Sequence, residues 1–326
     1  MFLTLDEKMR GLLCCSHCKG TIAEVEDGFI CRDCGSVYAS KSVSVGDHTE
    51  KVYDFRVHRP EYCNSSEHVK WEQVQQEYEK FAEKLTVKDD LESYLAEIDC
   101  VKEIYEDEFH LDGFVLDVGG HQGRLRNFLS EETAATYVSA DPFPDIFKGL
   151  QHQPNLLKAY PCLSAPCNFL SAHAESLPFL SRSFDWVHMR SVLDHFQDPY
   201  LSLKEAYRIL KPGGRLLIGL SVSGGNSSVA AHSEKSEASG TVSRIVNKLR
   251  RDGVKGAAEA AIYHLKRNKD VVDDHMFHWD YDDLVDLIRR AGFEIVKEHW
   301  QKPPFTMCIY LSAGKKDPSP LSPADF

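Results

Sequence analysis

Asp117, Asp141 and the glycines between them carry the clearest chemistry in this 326-residue chain. Val115 to Gly123 reads VLDVGGHQG, which sets Asp117, Gly119, Gly120 and Gly123 at the end of an apolar run. Roughly twenty residues on, a second apolar run, YVSAD, ends on Asp141. This is the layout of a nucleotide-like cofactor site in an open α/β sheet: the glycines let backbone approach a ligand, and the second carboxylate meets a ribose diol. The pattern alone leaves the cofactor open. A pyrophosphate is held by amides after G-x-G-x-x-G, but from Gly119 the chain reads GGHQGR, with Arg124 in the third glycine's place. A cofactor that is cationic at sulfur and lacks phosphate prefers an acidic turn, and Asp117 supplies one. A strand–turn–helix without a ligand is the plain alternative.

The second constellation is N-terminal. Cys15-Ser16-His17-Cys18 and Cys31-Arg32-Asp33-Cys34 are two C-x-x-C pairs separated by twelve residues. Two such knuckles offer four thiolates in a tetrahedron, which suits structural zinc. TIAEVEDGFI between them alternates and contains Asp27-Gly28, a hairpin signal. The expected unit is a zinc ribbon within residues 1–48, whose folding is coupled to metal binding. Cys14 and His17 are spare donors, and Cys14 reads as a small apolar residue.

These residues need a scaffold. A chain with 42% hydrophobic residues supports a full core. Its net charge of −12 argues against a whole-surface nucleic-acid binder. No apolar run approaches the roughly 20 residues of a membrane span, and the N-terminus does not read as a signal peptide. A cytoplasmic location follows as an expectation, with the ten cysteines as thiols or metal ligands. Residues 49–112 read as a helical linker. Trp71, Val74, Tyr78, Phe81 and Leu85 mark one helix, either packed on the main domain or forming an aromatic substrate wall. A second helix follows Asp89-Asp90, with Leu91, Leu95, Ile98, Val101 and Tyr105 inward. Its acidic residues, Glu97, Glu103, Glu106, Asp107 and Glu108, read as a solvated face.

From residue 113 to 326, strand-like runs FVLDVG, TYVSAD, CNFLSA, FDWVHM, RLLIGLSV, FEIVKEHW and FTMCIYLSA alternate with helical stretches near 123–130, 143–150, 191–196, 199–210 and 280–292. The alternation predicts a doubly wound, mostly parallel α/β sheet. The last two runs are joined by Gln301-Lys302-Pro303-Pro304, too short for a parallel crossover, so the final strand is expected antiparallel.

These motifs resemble class I S-adenosylmethionine-dependent methyltransferases, which have a seven-stranded Rossmann-like sheet with an antiparallel last strand. LDVGGHQG is similar to the family's first motif, with His121 where a central glycine is commonest. SAHAESLPFLSRSFDWVH resembles the adenine segment and fourth strand, with His173 where aspartate is frequent. LDHFQDPYLSLKEAYRILKPGGRLLIG and DHMFHWDYDDLVDLIRRAGFEIV resemble the subgroup that includes ubiquinone-pathway methyltransferases. The resemblance implies that S-adenosyl-L-methionine is the cofactor. Asp117 and the Gly119, Gly120 and Gly123 turn would hold its methionine end, and Asp141 its ribose. Ala174, with His173 or Glu175, would read the adenine. LLCCSHCKG…GFICRDCGSVY resembles the ribbons of small activator proteins that partner tRNA and protein methyltransferases, and those fused to some bacterial rRNA guanine methyltransferases.

On the acceptor side, His195 follows the fourth strand and suits a general base near neutral pH, or else serves as a structural cap. Arg190 is placed to meet the acceptor or a cofactor carboxylate. His275 and His278 read as loop packing or as a metal pair. Residues 221–275 form an insertion at the sheet's carboxyl edge, expected as a lid. It contains a basic stretch (Arg244, Lys248, Arg250, Arg251, Lys255, Lys266, Arg267, Lys269) that invites an anionic acceptor or is a solvated face. Three functions stay open: methylation of a small-molecule, sugar or lipid-linked glycan acceptor, with oxygen the expected target; RNA base methylation with the ribbon gripping RNA; and a non-catalytic cofactor-binding scaffold. Against RNA, the ribbon sets Lys19, Arg32 and Lys41 against Glu24, Glu26, Asp27 and Asp33. The asparagine-proline signature of amine methylation is also absent after the fourth strand, where Arg190-Ser191-Val192-Leu193 stands.

Overall fold

Parallel strands covered by helices are buried on both faces. Phe114–Val118 and Thr136–Ala140 are both of this kind, each buried at every position after the first. In the computed structural model of the protein, residues 3–45, 48–57, 68–76, 89–129, 135–225, 276–302 and 308–315 are described.

The main sheet has the order β1-β8-β7-β6-β9-β10-β12-β11. Its strands are β1 (Leu3–Thr4), β6 (Phe114–Val118), β7 (Thr136–Ala140), β8 (Cys167–Leu170), β9 (Phe184–Arg190), β10 (Leu210–Ser221), β11 (Phe293–Trp300) and β12 (Cys308–Lys315). The pairings from β1 to β10 are parallel, and β12 runs antiparallel to both β10 and β11. The expected seven strands and antiparallel last strand are present. β1 is an addition the sequence did not signal: two residues are too few to leave a pattern. Chain order reverses at β6, which lies between β7 and β9, so the crevice for a ligand opens at the carboxyl ends of these strands.

Helix α1 (Glu7–Arg10) leads into the first cysteine pair, and α2 (Leu91–Glu103) is capped by Asp90. Within α2 Leu95 departs from the expected inward face and is 46% exposed, while Val101 is buried. Helix α3 spans Pro154–Ala159. Helix α4 (Pro199–Ile209) starts on Pro199 with the Asp198 side chain accepting from the Leu201 amide at 2.9 Å. It buries Leu203, Ala206 and Ile209 at helical spacing. Helix α5 (Tyr281–Arg290) buries Leu284, Val285, Leu287 and Ile288.

Three expected helices are smaller. Residues 123–130 hold only the 3₁₀ turn Arg124–Phe128. Residues 143–150 hold the short turn Pro144–Phe147, bounded by Pro144 and the left-handed Gly149 (φ 79°). Residues 191–196 form turns, because Ser191 is left-handed (φ 52°) and the Asp194 carbonyl accepts from the amides of Met276 and Phe277 rather than from its own segment.

The cysteine region is a separate antiparallel sheet of β2 (Ile22–Val25), β3 (Gly28–Cys31), β4 (Val37–Val45) and β5 (His48–Tyr53). The expected hairpin is present, but Val25 pairs with Gly28, so its tight turn is Glu26-Asp27, one residue earlier than the Asp27-Gly28 signal. Strand β5 carries this sheet past residue 48, into the stretch read as helical linker. Tyr38 stacks on Phe55 at 4.7 Å, and Cys15, Phe29, Cys31, Tyr38 and Phe55 share one core with Leu170, Leu177 and Phe179 of the main domain. The ribbon is therefore docked. Residues 68–76 are helical, with Val74 buried; Tyr78, Phe81 and Leu85 lie outside the described residues. So do residues 226–275, which hold nearly all of the expected lid and its basic stretch. No helix among the described residues is long and apolar enough to cross a membrane.

Candidate functional site

β6 delivers its carboxyl end into a turn that has no room for a side chain at Gly119 or Gly120. A Cβ on Gly119 (φ 66°) would lie 2.6 Å from Val192 Cγ1, and one on Gly120 would lie 2.6 Å from Asp117 Cγ. Gly123 (φ 78°) turns the chain into the Arg124–Phe128 helix. His121 occupies the left-handed region at φ 49°, unusual for a non-glycine residue and a sign of a built turn. Its amide donates to Asp141 Oδ2 at 3.1 Å, and its carbonyl accepts from Ser139 Oγ at 3.1 Å. Burial, with repulsion from Arg124, pushes its imidazole down to about 3, so the ring is neutral at pH 7.

Asp117 is buried and both its oxygens have internal partners. Oδ2 accepts from Tyr137 Oη at 2.7 Å, and Oδ1 lies 2.7 Å from His188 Nδ1. His188 stands opposite Asp117 in the β6–β9 register. Its Nε2 is 2.9 Å from Tyr105 Oη. Burial raises the Tyr105 and Tyr137 phenols well above their usual range, so both are protonated donors. An ionised Asp117 only accepts, which places the His188 proton on Nδ1 and leaves Nε2 to accept from Tyr105. Tyr105 also meets the Tyr310 ring edge-on at 6.3 Å, and the Tyr310 hydroxyl accepts from Arg190 Nε at 3.0 Å. Packed side chains thus run from Arg190, at the end of β9, through Tyr310, Tyr105 and His188 to Asp117, near the end of β6.

Asp141 ends β7 and is 5% exposed. Its Oδ1 accepts from the Phe143 amide at 2.9 Å, so the carboxylate is fixed beside the glycine turn. Past β8, His173 precedes the turn Ala174–Ser176 and meets the Trp71 ring edge-on at 5.6 Å. Glu175 is directed elsewhere: its Oε1 accepts from the amides of Gln197 (2.9 Å) and Asp198 (3.1 Å), fastening this turn to the start of α4. Burial pushes the Glu175 carboxyl up, and those amides pull it back.

The acceptor side lies past β9. Helix α2 places Glu97 3.4 Å from Arg124 and 3.6 Å from Arg190, so part of the acidic face expected to be solvated is paired across the crevice. His195 sits on a turn, with its carbonyl accepting from Trp71 Nε1 at 2.9 Å. Its Nε2 is 4.0 Å from Asp194 Oδ1, beyond hydrogen-bond reach. His278 is exposed, and His275 lies outside the described residues.

At the ribbon, Cys15, Cys18, Cys31 and Cys34 bring their sulfurs within 4.8 Å of one another. Cys15–Cys34 and Cys18–Cys31 are 3.6 and 3.5 Å apart. A tetrahedron with metal–sulfur bonds of about 2.3 Å has edges of about 3.8 Å, so the donor set fits zinc. The Cys18 and Cys34 amides point at the Cys15 and Cys31 sulfurs, at 3.3 and 3.5 Å. Cys14 is fully buried, and burial pushes its thiol up to about 11, consistent with an inert residue.

Sequence reasoning located Asp117, the glycines, Asp141, Ala174 and Arg190 at one sheet edge. It missed His188, Tyr105, Tyr137 and Tyr310. A histidine in the middle of the buried run FDWVHM was the available signal.

Residues 116–218 match a family profile described as "Methyltransferase domain". Among curated proteins, the ubiquinone/menaquinone biosynthesis C-methyltransferase UbiE of Haemophilus ducreyi is 47% identical over 51 residues, 16% of this chain and 20% of that protein. The uncharacterized protein YafE of Escherichia coli is 50% identical over 46 residues, 14% of this chain and 22% of that protein. The chain thus spans 20–22% of the length of these relatives. Among solved structures, the 1,6-didemethyltoxoflavin-N1-methyltransferase of Burkholderia thailandensis, with bound 1,6-didemethyltoxoflavin and S-adenosylhomocysteine, is 15% identical. It covers 88% of this chain and 98% of its own, with a TM-score of 0.46. A SAM-dependent methyltransferase of Thermotoga maritima is 20% identical, covers 75% and 99%, and has a TM-score of 0.43.

Proposed function

We propose that the protein is an S-adenosylmethionine-dependent methyltransferase acting on a compact small-molecule, sugar or lipid-linked glycan acceptor, with oxygen as the target, and that its ribbon holds structural zinc. The observation that carries the reading is Asp141, a buried carboxylate fixed by backbone amides beside a glycine-rich turn, at the point where strand order reverses. On this reading its oxygens accept from a ribose diol.

The bound cofactor supplies an electrophilic methyl group on a sulfonium, with a neutral thioether as leaving group. The chain's own residues do the rest. Asp117, satisfied internally by Tyr137 and His188, fixes the glycine turn and presents negative potential to the cationic end of the cofactor rather than reaching for it directly. Ala174 offers its amide to the adenine, and His173, held by Trp71, lines the base. Glu175 is spent on the Gln197 and Asp198 amides and acts as a brace. Arg190 and Arg124 face the acceptor side and keep it positive. His195 takes the acceptor's proton there. Alignment of donor and acceptor and exclusion of water do the remaining work. An RNA acceptor draws no support from the ribbon, whose first knuckle is turned into the main domain.

The test is methyl-labelled S-adenosylmethionine given to the full chain with host extract, followed by fractionation. Label is expected in small-molecule or lipid-glycan pools. Ribonuclease-sensitive label would replace the acceptor assignment. Asp141→Ala is expected to weaken S-adenosylhomocysteine binding about 100-fold, from two charge-assisted bonds of about 1.5 kcal/mol each. Unchanged affinity would remove the ribose assignment.

A further inference from the structure

Segment 171–180 leaves β8 and carries the Ala174 turn, and several of its polar groups are taken by the ribbon and the strand that follows it. The Ser171 amide donates to Tyr53 O at 2.9 Å, and its carbonyl accepts from the Phe55 amide at 2.7 Å. Ser176 Oγ donates to the Ser16 carbonyl at 2.6 Å, inside the protein. Lys19 Nζ reaches the Leu177 carbonyl at 3.2 Å, as well as Glu205 Oε2 at 2.7 Å and the Ser16 carbonyl at 3.0 Å. Arg208 of α4 shares the Leu177 carbonyl at 3.0 Å and takes the Phe179 carbonyl at 2.6 Å. The Cys14 amide donates to Pro178 O at 2.9 Å, and the Leu180 amide to Leu12 O at 2.8 Å.

Ser16 and Lys19 belong to the knuckle whose sulfurs, Cys15 and Cys18, are metal ligands on the reading above. Ser16 is fully buried, and its hydroxyl donates to the Phe55 carbonyl at 2.8 Å. Lys19 holds a left-handed φ of 62°, a conformation that costs a lysine energy unless its surroundings impose it. Cys15 and Cys18, held by one ion, would keep this backbone in place. Without the ion, four sulfurs within 4.8 Å have no common partner. The knuckle then relaxes, Ser176 loses its partner, and Leu177 keeps only Arg208.

We propose that the first knuckle is a positioning device for the cofactor's base: metal coordination fixes Ser16 and Lys19, these fix Ser176 and, together with Arg208, Leu177, and the Ala174 turn is thereby held at the height that reads adenine. The proposal rests on Ala174 and His173 facing the adenine. Ser16, Lys19 and Ser176 are positioning residues, since none touches the cofactor. The ribbon is in this sense a metal-dependent part of the cofactor site.

The experiment uses the full chain with zinc bound, its Ser176→Ala and Lys19→Met variants, and chelated protein. For each, metal content and affinities for S-adenosylhomocysteine and S-inosylhomocysteine are measured by titration calorimetry. The two ligands differ at the base alone, so the ratio of their affinities reports base reading and is insensitive to a general loss of folded protein. Both variants are expected to keep their zinc, to bind S-adenosylhomocysteine about tenfold more weakly, and to lose part of the preference for adenine. Chelation is expected to lower the preference further, with recovery on adding zinc. If both variants keep the wild-type affinity and ratio, the proposal is overturned. If chelated protein precipitates, the two variants, which retain all four cysteines, still decide. Failure of the wild-type chain to bind either ligand would instead remove the cofactor assignment itself.

Discussion

Replacing His188 with leucine deprives two buried groups of a partner at once: Asp117 Oδ1 at 2.7 Å and the Tyr105 hydroxyl at 2.9 Å. The two side chains of the pair are 4% and 6% exposed, so water does not stand in for the lost imidazole. Removing one member of a buried pair costs about 3–5 kcal/mol. Tyr137 still donates to Oδ2, which places the expected loss near the lower figure, about 3 kcal/mol. Asp117→Leu removes the acceptor of both His188 and Tyr137 and is expected to cost at least as much. In the double variant no carboxylate is left without its partner, so its loss falls short of the sum by about 2 kcal/mol. Urea unfolding at pH 7 measures all four corners of the cycle, with an unchanged m-value as the check that only stability has moved. A His188→Leu loss under about 1 kcal/mol, or additivity to within about 0.5 kcal/mol, would refute the argument. Either result would mean that solvent reaches the pair or that the two residues do not share a proton.

His121→Gly tests the acid limit of the site. The histidine's folded value is depressed to about 3, against 6.5 ordinarily, so the unfolded chain takes up the proton first as pH falls. The neutral ring's contribution is complete above pH 6.5 and is lost progressively as pH drops from there toward 3. The glycine variant also relieves a left-handed φ of 49°. Its stability relative to wild type should therefore rise steadily below pH 6.5 in urea titrations, and a constant difference would contradict the buried neutral ring. His195→Ala is expected to lower kcat about 100-fold at pH 7 with cofactor KM unchanged, and to regain part of the rate at alkaline pH. Full turnover at neutral pH would remove His195 as the base.

What the sequence revealed was local. Val115–Gly123 encodes a strand, a turn and a carboxylate within nine residues, and the cysteine pairs encode their own knuckles. Asp141 and the antiparallel final strand followed from short-range spacing and a short loop. What stayed hidden was long-range. His188, Tyr105, Tyr137 and Tyr310 come from four elements and meet only because β6, β7 and β9 share a register. Glu175 looked available to a base because the Gln197 and Asp198 amides that occupy it lie more than twenty residues on. Residues 191–196 look helical until the amides of Met276 and Phe277 arrive at Asp194. Ser16 and Lys19 read as spacers between ligands, because a knuckle carries no mark of what it leans on.

Strand β1 has a bearing on how the gene can be cut. Leu3 and Thr4 pair with Cys167 and Asn168 of β8, and Asp54 bridges to Ser171 just beyond that strand. Everything between Thr4 and Asp54 is thus a loop whose two feet stand along one strand, rather than a module hung on a tether. A clone that starts after residue 48, as the cysteine pattern invites, would strip β8 of its neighbour and leave an unpaired, largely apolar edge. Such a truncated product should self-associate in the soluble fraction before any question of metal or methyl transfer arises. Clones that keep residues 3 and 4, or that supply a short strand in their place, should remain dispersed.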